Sequence, residues 1–231
     1  MVMSSTRPSV FPPASWPRAG RVAAGVTLVL AAALPLVSHL IQPTFLVTED
    51  FLDWAATEPG TAELTKFLDV LVLPLLFGTG LVYVLLSRHG APRLAVTGGG
   101  LLGCGLVGLS VVEGHEALAV SLAADPRVDR GSLVAAVDQT GSAAALLALA
   151  LLVLGVVVGT ITLAVALARS GAVPRWVAAL VPLPILIDTV LNESLGIGPH
   201  WLAHAVALVV ACLLAALVLT AGRAVDEVAA P

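Results

Sequence analysis

From Ser142 to Ala168 the chain runs without a single charged side chain, and five more apolar blocks of about 20 residues accompany it. At 1.5 Å of rise per residue, roughly 20 helical residues cross the roughly 30 Å of hydrocarbon in a bilayer. Lipid offers the backbone no water to bond, so a segment that crosses it is helical. Composition agrees: 58% of the residues are hydrophobic and 11% charged, where a soluble domain carries about 25% charged residues. The expected fold is all-α, a polytopic transmembrane helix bundle with six spans at residues 22–41, 67–86, 94–112, 142–168, 176–191 and 201–221. These make one membrane domain over 21–222, between a Pro/Ser-rich cytoplasmic tail at 1–20, expected to be disordered, and a cytoplasmic tail at 223–231.

Charge placement sets the orientation. Arg7, Arg18, Arg21, Arg88, Arg93, Arg169, Arg175 and Arg223 fall on one side of the six spans, and only Lys66, Arg127 and Arg130 on the other. The positive-inside bias then puts both termini in the cytoplasm, with Trp16, Trp176 and Trp201 as interfacial anchors at span ends. Lys66 is the only lysine against ten arginines, a usage that points to a GC-rich bacterial genome and so to the bacterial plasma membrane. The first apolar run is long and no small-x-small site follows it, so it is read as a span and not as a cleaved signal peptide.

Between the spans, Phe51, Leu52 and Trp54 suit a short helix on the membrane surface, and Thr61 suits the N-cap of the next helix. The third span is expected to continue as helix toward Ala123. Asp125-Pro126 marks a turn within a polar excursion over 124–141. The third span is also rich in small residues. The rows Gly99-x3-Gly103 and Gly100-x3-Cys104-x3-Gly108 suit close helix approach, whether within the bundle, to a second copy or to a partner membrane protein. Pro182 and Pro184 interrupt the fifth span and would free the carbonyls of Ala178 and Leu180. Gly78-Thr79 through Arg88-x-Gly90-Ala91-Pro92-Arg93 is echoed by Gly159-Thr160 through Arg169-x-Gly171-Ala172-Val173-Pro174-Arg175, two hairpins turning at the same side. Cys104 and Cys212 both fall mid-span, where neither a disulfide framework nor a thiolate metal site is indicated.

Every membrane-associated ionisable group outside the basic turns lies toward the outer side, and charges within spans are expected to face the bundle interior. The candidate binding cluster is Asp188, His204, His200, Asn192, Glu116, Glu113 and Asp69. His200 and His204, four apart, share a helix face and suit two ligands to one metal, with Asp188 as a third ligand and Glu116 as base for a bound water. No Glu adjoins the pair as in HExxH, so no general base is built into the motif. A haem between helices needs facing histidines at matching depth, a role open to His39 with His204. No Walker loop, Rossmann fingerprint or Gly-x-Ser-x-Gly occurs, and no basic patch with aromatics, so nucleic acid is not an expected partner.

The chain resembles a family of bacterial six-span integral membrane proteins of unknown function, the domain-of-unknown-function 4386 group. The likeness rests on Arg21-Val22-Ala23-Ala24-Gly25 opening the first span and on an acidic outer loop before the second. Leu86-Ser87-Arg88-His89-Gly90 before a Gly-rich span and Ser170-Gly171-x2-Pro174-Arg175-Trp176 complete it. It implies a fold and a location, with no catalytic residue or substrate. A fainter likeness, through the late His-x3-His, is to seven-span intramembrane hydrolases of the ceramidase and progestin-receptor type. Three functions follow. The first is a non-catalytic membrane component with no cofactor, which the absence of any strong catalytic motif favours. The second is a small transporter of protons, cations or solutes using the outer polar cluster. The third is a zinc-dependent intramembrane hydrolase using His200 and His204.

Overall fold

The computed structural model describes residues 16–45, 47–138, 143–188 and 201–221. These are mostly helical, with no strand among the described residues. In chain order the helices are α1 (Arg18–Ile41), α2 (Thr48–Thr57), α3 (Pro59–Ser87), α4 (Pro92–Ala123), α5 (Arg130–Val137), α6 (Ala143–Ser170), α7 (Arg175–Leu180), α8 (Leu183–Ile187) and α9 (Trp201–Thr220). Five of them, α1, α3, α4, α6 and α9, are long and apolar enough to cross a membrane. The fifth expected span is shorter in regular structure: Arg175–Ile187 is an apolar segment divided into α7 and α8.

The long helices lie side by side. α1 packs between α3 and α9, α3 continues onto α4, and α4 has its largest contact with α6. The main apolar core joins Ala24 and Leu28 of α1, Leu86 of α3, Leu167 of α6, Val177 of α7 and Leu214 and Val218 of α9. This core gathers the start of α1, the end of α3, the start of α7 and the end of α9, so these lie at one end of the bundle. The two basic turns sit there together: a Cβ on Gly90 would lie 2.5 Å from the Cα of Ser170. Gly171 turns the second of them with φ of 69°, the one positive φ among the described residues.

Glycine positions decide how close α4 comes to α6. A Cβ on Gly105 would sit 2.4 Å from Val156 N, one on Gly108 2.5 Å from the Ala148 carbonyl oxygen, and one on Gly159 2.5 Å from Leu102 N. Backbones therefore touch along a seam of Gly98, Gly105 and Gly108 against Gly155 and Gly159. Of the rows expected from sequence, Gly108 lies in this seam and the other members are rotated away from it. Gly100 and Gly103 have nothing within 4 Å and Gly99 meets the Val84 side chain of α3. Cys104 is exposed, as is Cys212, and both are free thiols. A helix turns 100° per residue, so neighbouring glycines point to different partners, and spacing alone does not say which row is buried.

α4 runs unbroken to Ala123, as its apolar pattern predicts, and its 32 residues make a rod of roughly 48 Å. This exceeds the roughly 30 Å of hydrocarbon. The excess is a platform for a small cap. Leu52 of α2 and Leu133 of α5 close on Ala119, and Ala55 and Ala62 close on Val120. The expected surface helix thus exists as α2, but its Leu52 is fully buried against protein. α3 begins at Pro59 with Glu58 at the N-cap, so Thr61 is not the cap. Proline is favoured at the first helical position because the N–H it lacks has no intrahelical partner there. α5 was not foreseen in the polar excursion. The turn there is as expected, with Arg127 N–H donating to Asp125 Oδ1 at 3.0 Å. Asp129 then caps α5 by accepting from Ser132 N–H at 2.8 Å, and the Ser132 hydroxyl and N–H hold its carboxyl below the usual range.

Candidate functional site

At the junction of cap and bundle, Lys66 of α3 lies among three carboxylates. Its Nζ is 2.6 Å from Glu116 Oε2, 3.1 Å from Asp69 Oδ2 and 3.7 Å from Glu113 Oε2. The Phe51 ring of α2 stands above it, 5.9 Å from Nζ to the ring centroid. Helical spacing explains the convergence: Lys66 and Asp69 are three apart on α3, and Glu113 and Glu116 three apart on α4, so each pair shares a face. The lysine and Asp69 are both buried, with side chains 7% and 8% exposed, whereas Glu116 reaches the rim at 39%.

A buried ammonium without partners costs several kcal/mol, and here every partner is a charge of opposite sign. Glu116 completes the set as the short, charge-assisted hydrogen bond. Glu113 Oε2 makes no hydrogen bond and is held by charge alone. The cluster therefore fastens α3 to α4 at the level where α4 leaves the bundle. With three carboxylates against one ammonium, it also carries excess negative charge.

Three of the seven expected residues, Asp69, Glu113 and Glu116, thus come together. The residue that organises them is Lys66, which charge placement alone puts in the outer loop. The sequence signal that marks it is Lys66-x2-Asp69 at helical spacing directly after Thr61-Ala62-Glu63-Leu64-Thr65, with no other lysine in the chain.

Of the other candidates, His204 and Asp188 lie on α9 and at the end of α8. His204 near the start of α9 stacks on His39 near the end of α1, with ring centroids 4.2 Å apart and planes tilted by 42°. The His39 Nδ1–H donates to the Pro35 carbonyl at 3.0 Å. Rings in direct contact leave no room for a haem plane between them. Nearby, Ser38 donates from its hydroxyl to the Thr65 carbonyl at 3.3 Å, joining the end of α1 to the start of α3. Asp188 follows α8 as its C-cap. His200 and Asn192 lie outside the described residues. Among the described residues no group of three His, Cys, Asp or Glu side chains is placed to hold a metal ion.

The helix break beside Asp188 differs from expectation in one respect. The chain does break at Val181-Pro182, but the Ala178 carbonyl is not freed: it accepts from Val181 N–H at 3.2 Å. The last turn of α7 has tightened to an i to i+3 bond, the usual way a helix end satisfies its carbonyls.

No family model matches the chain, and no curated protein or solved structure does either.

Proposed function

We propose that the chain is a six-span protein of the bacterial plasma membrane, with both termini cytoplasmic, that serves as a non-catalytic membrane component. One observation carries this reading: the outer carboxylates Asp69, Glu113 and Glu116 are spent on a single lysine between two spanning helices. That arrangement holds a cap on a bundle. The fifth of the six spans, the one divided into α7 and α8, is supported by Val177 of α7 packing at the basic end while His204 of α9 meets His39 at the other. The basic turns at one end and the acidic cap at the other favour the cap outside.

A second reading, transport of protons or cations, is favoured by the excess negative charge at the rim and by the helix broken ahead of Asp188. Flux in proteoliposomes separates the two. A structural component passes neither protons nor monovalent cations above the rate of empty vesicles, and Asp69→Asn changes nothing. A flux that Asp69→Asn removes moves the assignment to transport.

Orientation has its own test. In a cysteine-free background, Gly60→Cys and His89→Cys both sit at open positions. A membrane-impermeant maleimide added to intact cells is expected to label position 60 and to reach position 89 only after permeabilisation. The reverse pattern would invert the topology.

A further inference from the structure

We propose that the groove between the two basic turns binds the phosphate of an anionic phospholipid headgroup, held between the guanidinium groups of Arg93 and Arg169. The proposal rests on the reading that α3, α4 and α6 cross the bilayer, which puts these turns at headgroup depth. The backbone contact of Gly90 with Ser170 sets the start of α4 beside the end of α6 and leaves an open groove of about 660 Å³. It is lined by Gly90, Ala91, Pro92, Arg93, Leu94 and Arg169.

Both arginines are exposed, and among the described residues neither has a hydrogen bond or ion pair. No described carboxylate lies at this end of the bundle: the described acidic residues are in the cap, at its floor, or at the end of α8. Two guanidiniums lining one groove, with no counter-charge among the described residues, repel each other unless an anion joins them, and a phosphate accepts the planar fork of each. The start of α4 adds to this, since Ala91 supplies no side-chain cap and the helix dipole favours negative charge there. The guanidiniums, not the helix end, define the site. The other four lining residues are uncharged, so the groove pairs an apolar wall with two cations. That suits a headgroup with its chains beside it better than a free ion, and basic pockets between helices at the membrane surface hold anionic headgroups in this way.

The test is native mass spectrometry of the delipidated full chain offered equimolar phosphatidylglycerol and phosphatidylcholine. The wild type is expected to retain phosphatidylglycerol selectively. Arg93→Gln/Arg169→Gln should lose about twenty-fivefold of that preference, from about fivefold per arginine at a membrane surface. Arg88→Gln/Arg175→Gln removes the same charge from the same end and should keep most of it. Equal loss in both double variants, or no lipid preference in the wild type, overturns the proposal. Should the glutamine variant fail to fold, Arg93→Lys/Arg169→Lys keeps the charge and loses the forks. A several-fold weaker preference supports the site, and an unchanged one overturns it. Millimolar inorganic phosphate is expected to leave retention intact; displacement would make the ligand a free anion and overturn the lipid assignment.

Discussion

Lys66→Met is expected to lower the stability of the bilayer-embedded protein by about 3–5 kcal/mol, the usual cost of removing one partner from a buried ion cluster. Methionine matches the length and flexibility of the lysine stem, so little packing is lost. What remains is Asp69, buried at 8% exposure, facing Glu113 and Glu116 with no cation between them. Like charges at that distance repel, and α3 and α4 separate at the cap. For a chain of this size about 2–4 °C of melting temperature corresponds to 1 kcal/mol, so the drop is on the order of 10 °C. The control is to remove the stranded charge as well. Lys66→Met/Asp69→Asn/Glu113→Gln should recover much of the loss, because the uncompensated charge, and not the missing contact, dominates the cost. Glu116→Gln alone should cost under about 1 kcal/mol, since its carboxylate is partly in water. Thermal unfolding in nanodiscs reads all three. A Lys66→Met protein that melts with the wild type would show that the cluster does not fasten the cap.

The membrane class is legible because it depends on runs of residue type, which do not change with the rotation of a helix. Leu94 through Ala123 reads as one helix for the same reason: nothing in that run stops it before Ala123. The site depends on rotation and on where a helix starts, and there the reading is poorer. Lys66 counts as a loop residue if charge marks the membrane boundary. Once Pro59 opens α3, however, Lys66 is two turns inside a helix that has a protein neighbour on its charged side. The same limit governs the small residues of α4. Gly99-x3-Gly103 and the Gly98, Gly105, Gly108 set are equally good patterns on paper. The second is the seam because Gly155 and Gly159 of α6 have no side chains to keep it away. A pattern read on one helix lacks that information. The break at Pro182 was legible from proline chemistry, but the fate of the Ala178 carbonyl was not, because a helix end can tighten locally to satisfy it.

Gly105→Leu should therefore be strongly disruptive, and Gly100→Leu, five residues earlier on the same helix, should be harmless. At position 105 a Cβ would stand 2.4 Å from Val156 N and 2.7 Å from the carbonyl carbon of Gly155. Neither obstacle is the end of a flexible side chain, so no rotamer change relieves the clash, and the helices must part. Overpacking in a tight core costs about 1–3 kcal/mol, and more where backbone must move. Separation also forfeits dispersion contacts along the whole seam from Gly98 to Gly108, which in lipid is a main source of helix association. A loss of about 3 kcal/mol or more is expected. At position 100 nothing lies within 4 Å, and replacing glycine within a helix regains roughly 1 kcal/mol of propensity. The two substitutions add the same side chain to the same helix and should act with opposite sign. Unfolding in sodium dodecyl sulfate titrations of the two variants beside the wild type gives the comparison directly. Equal effects would mean that α4 does not meet α6 through Gly105, and the close seam at the centre of this bundle would have to be redrawn.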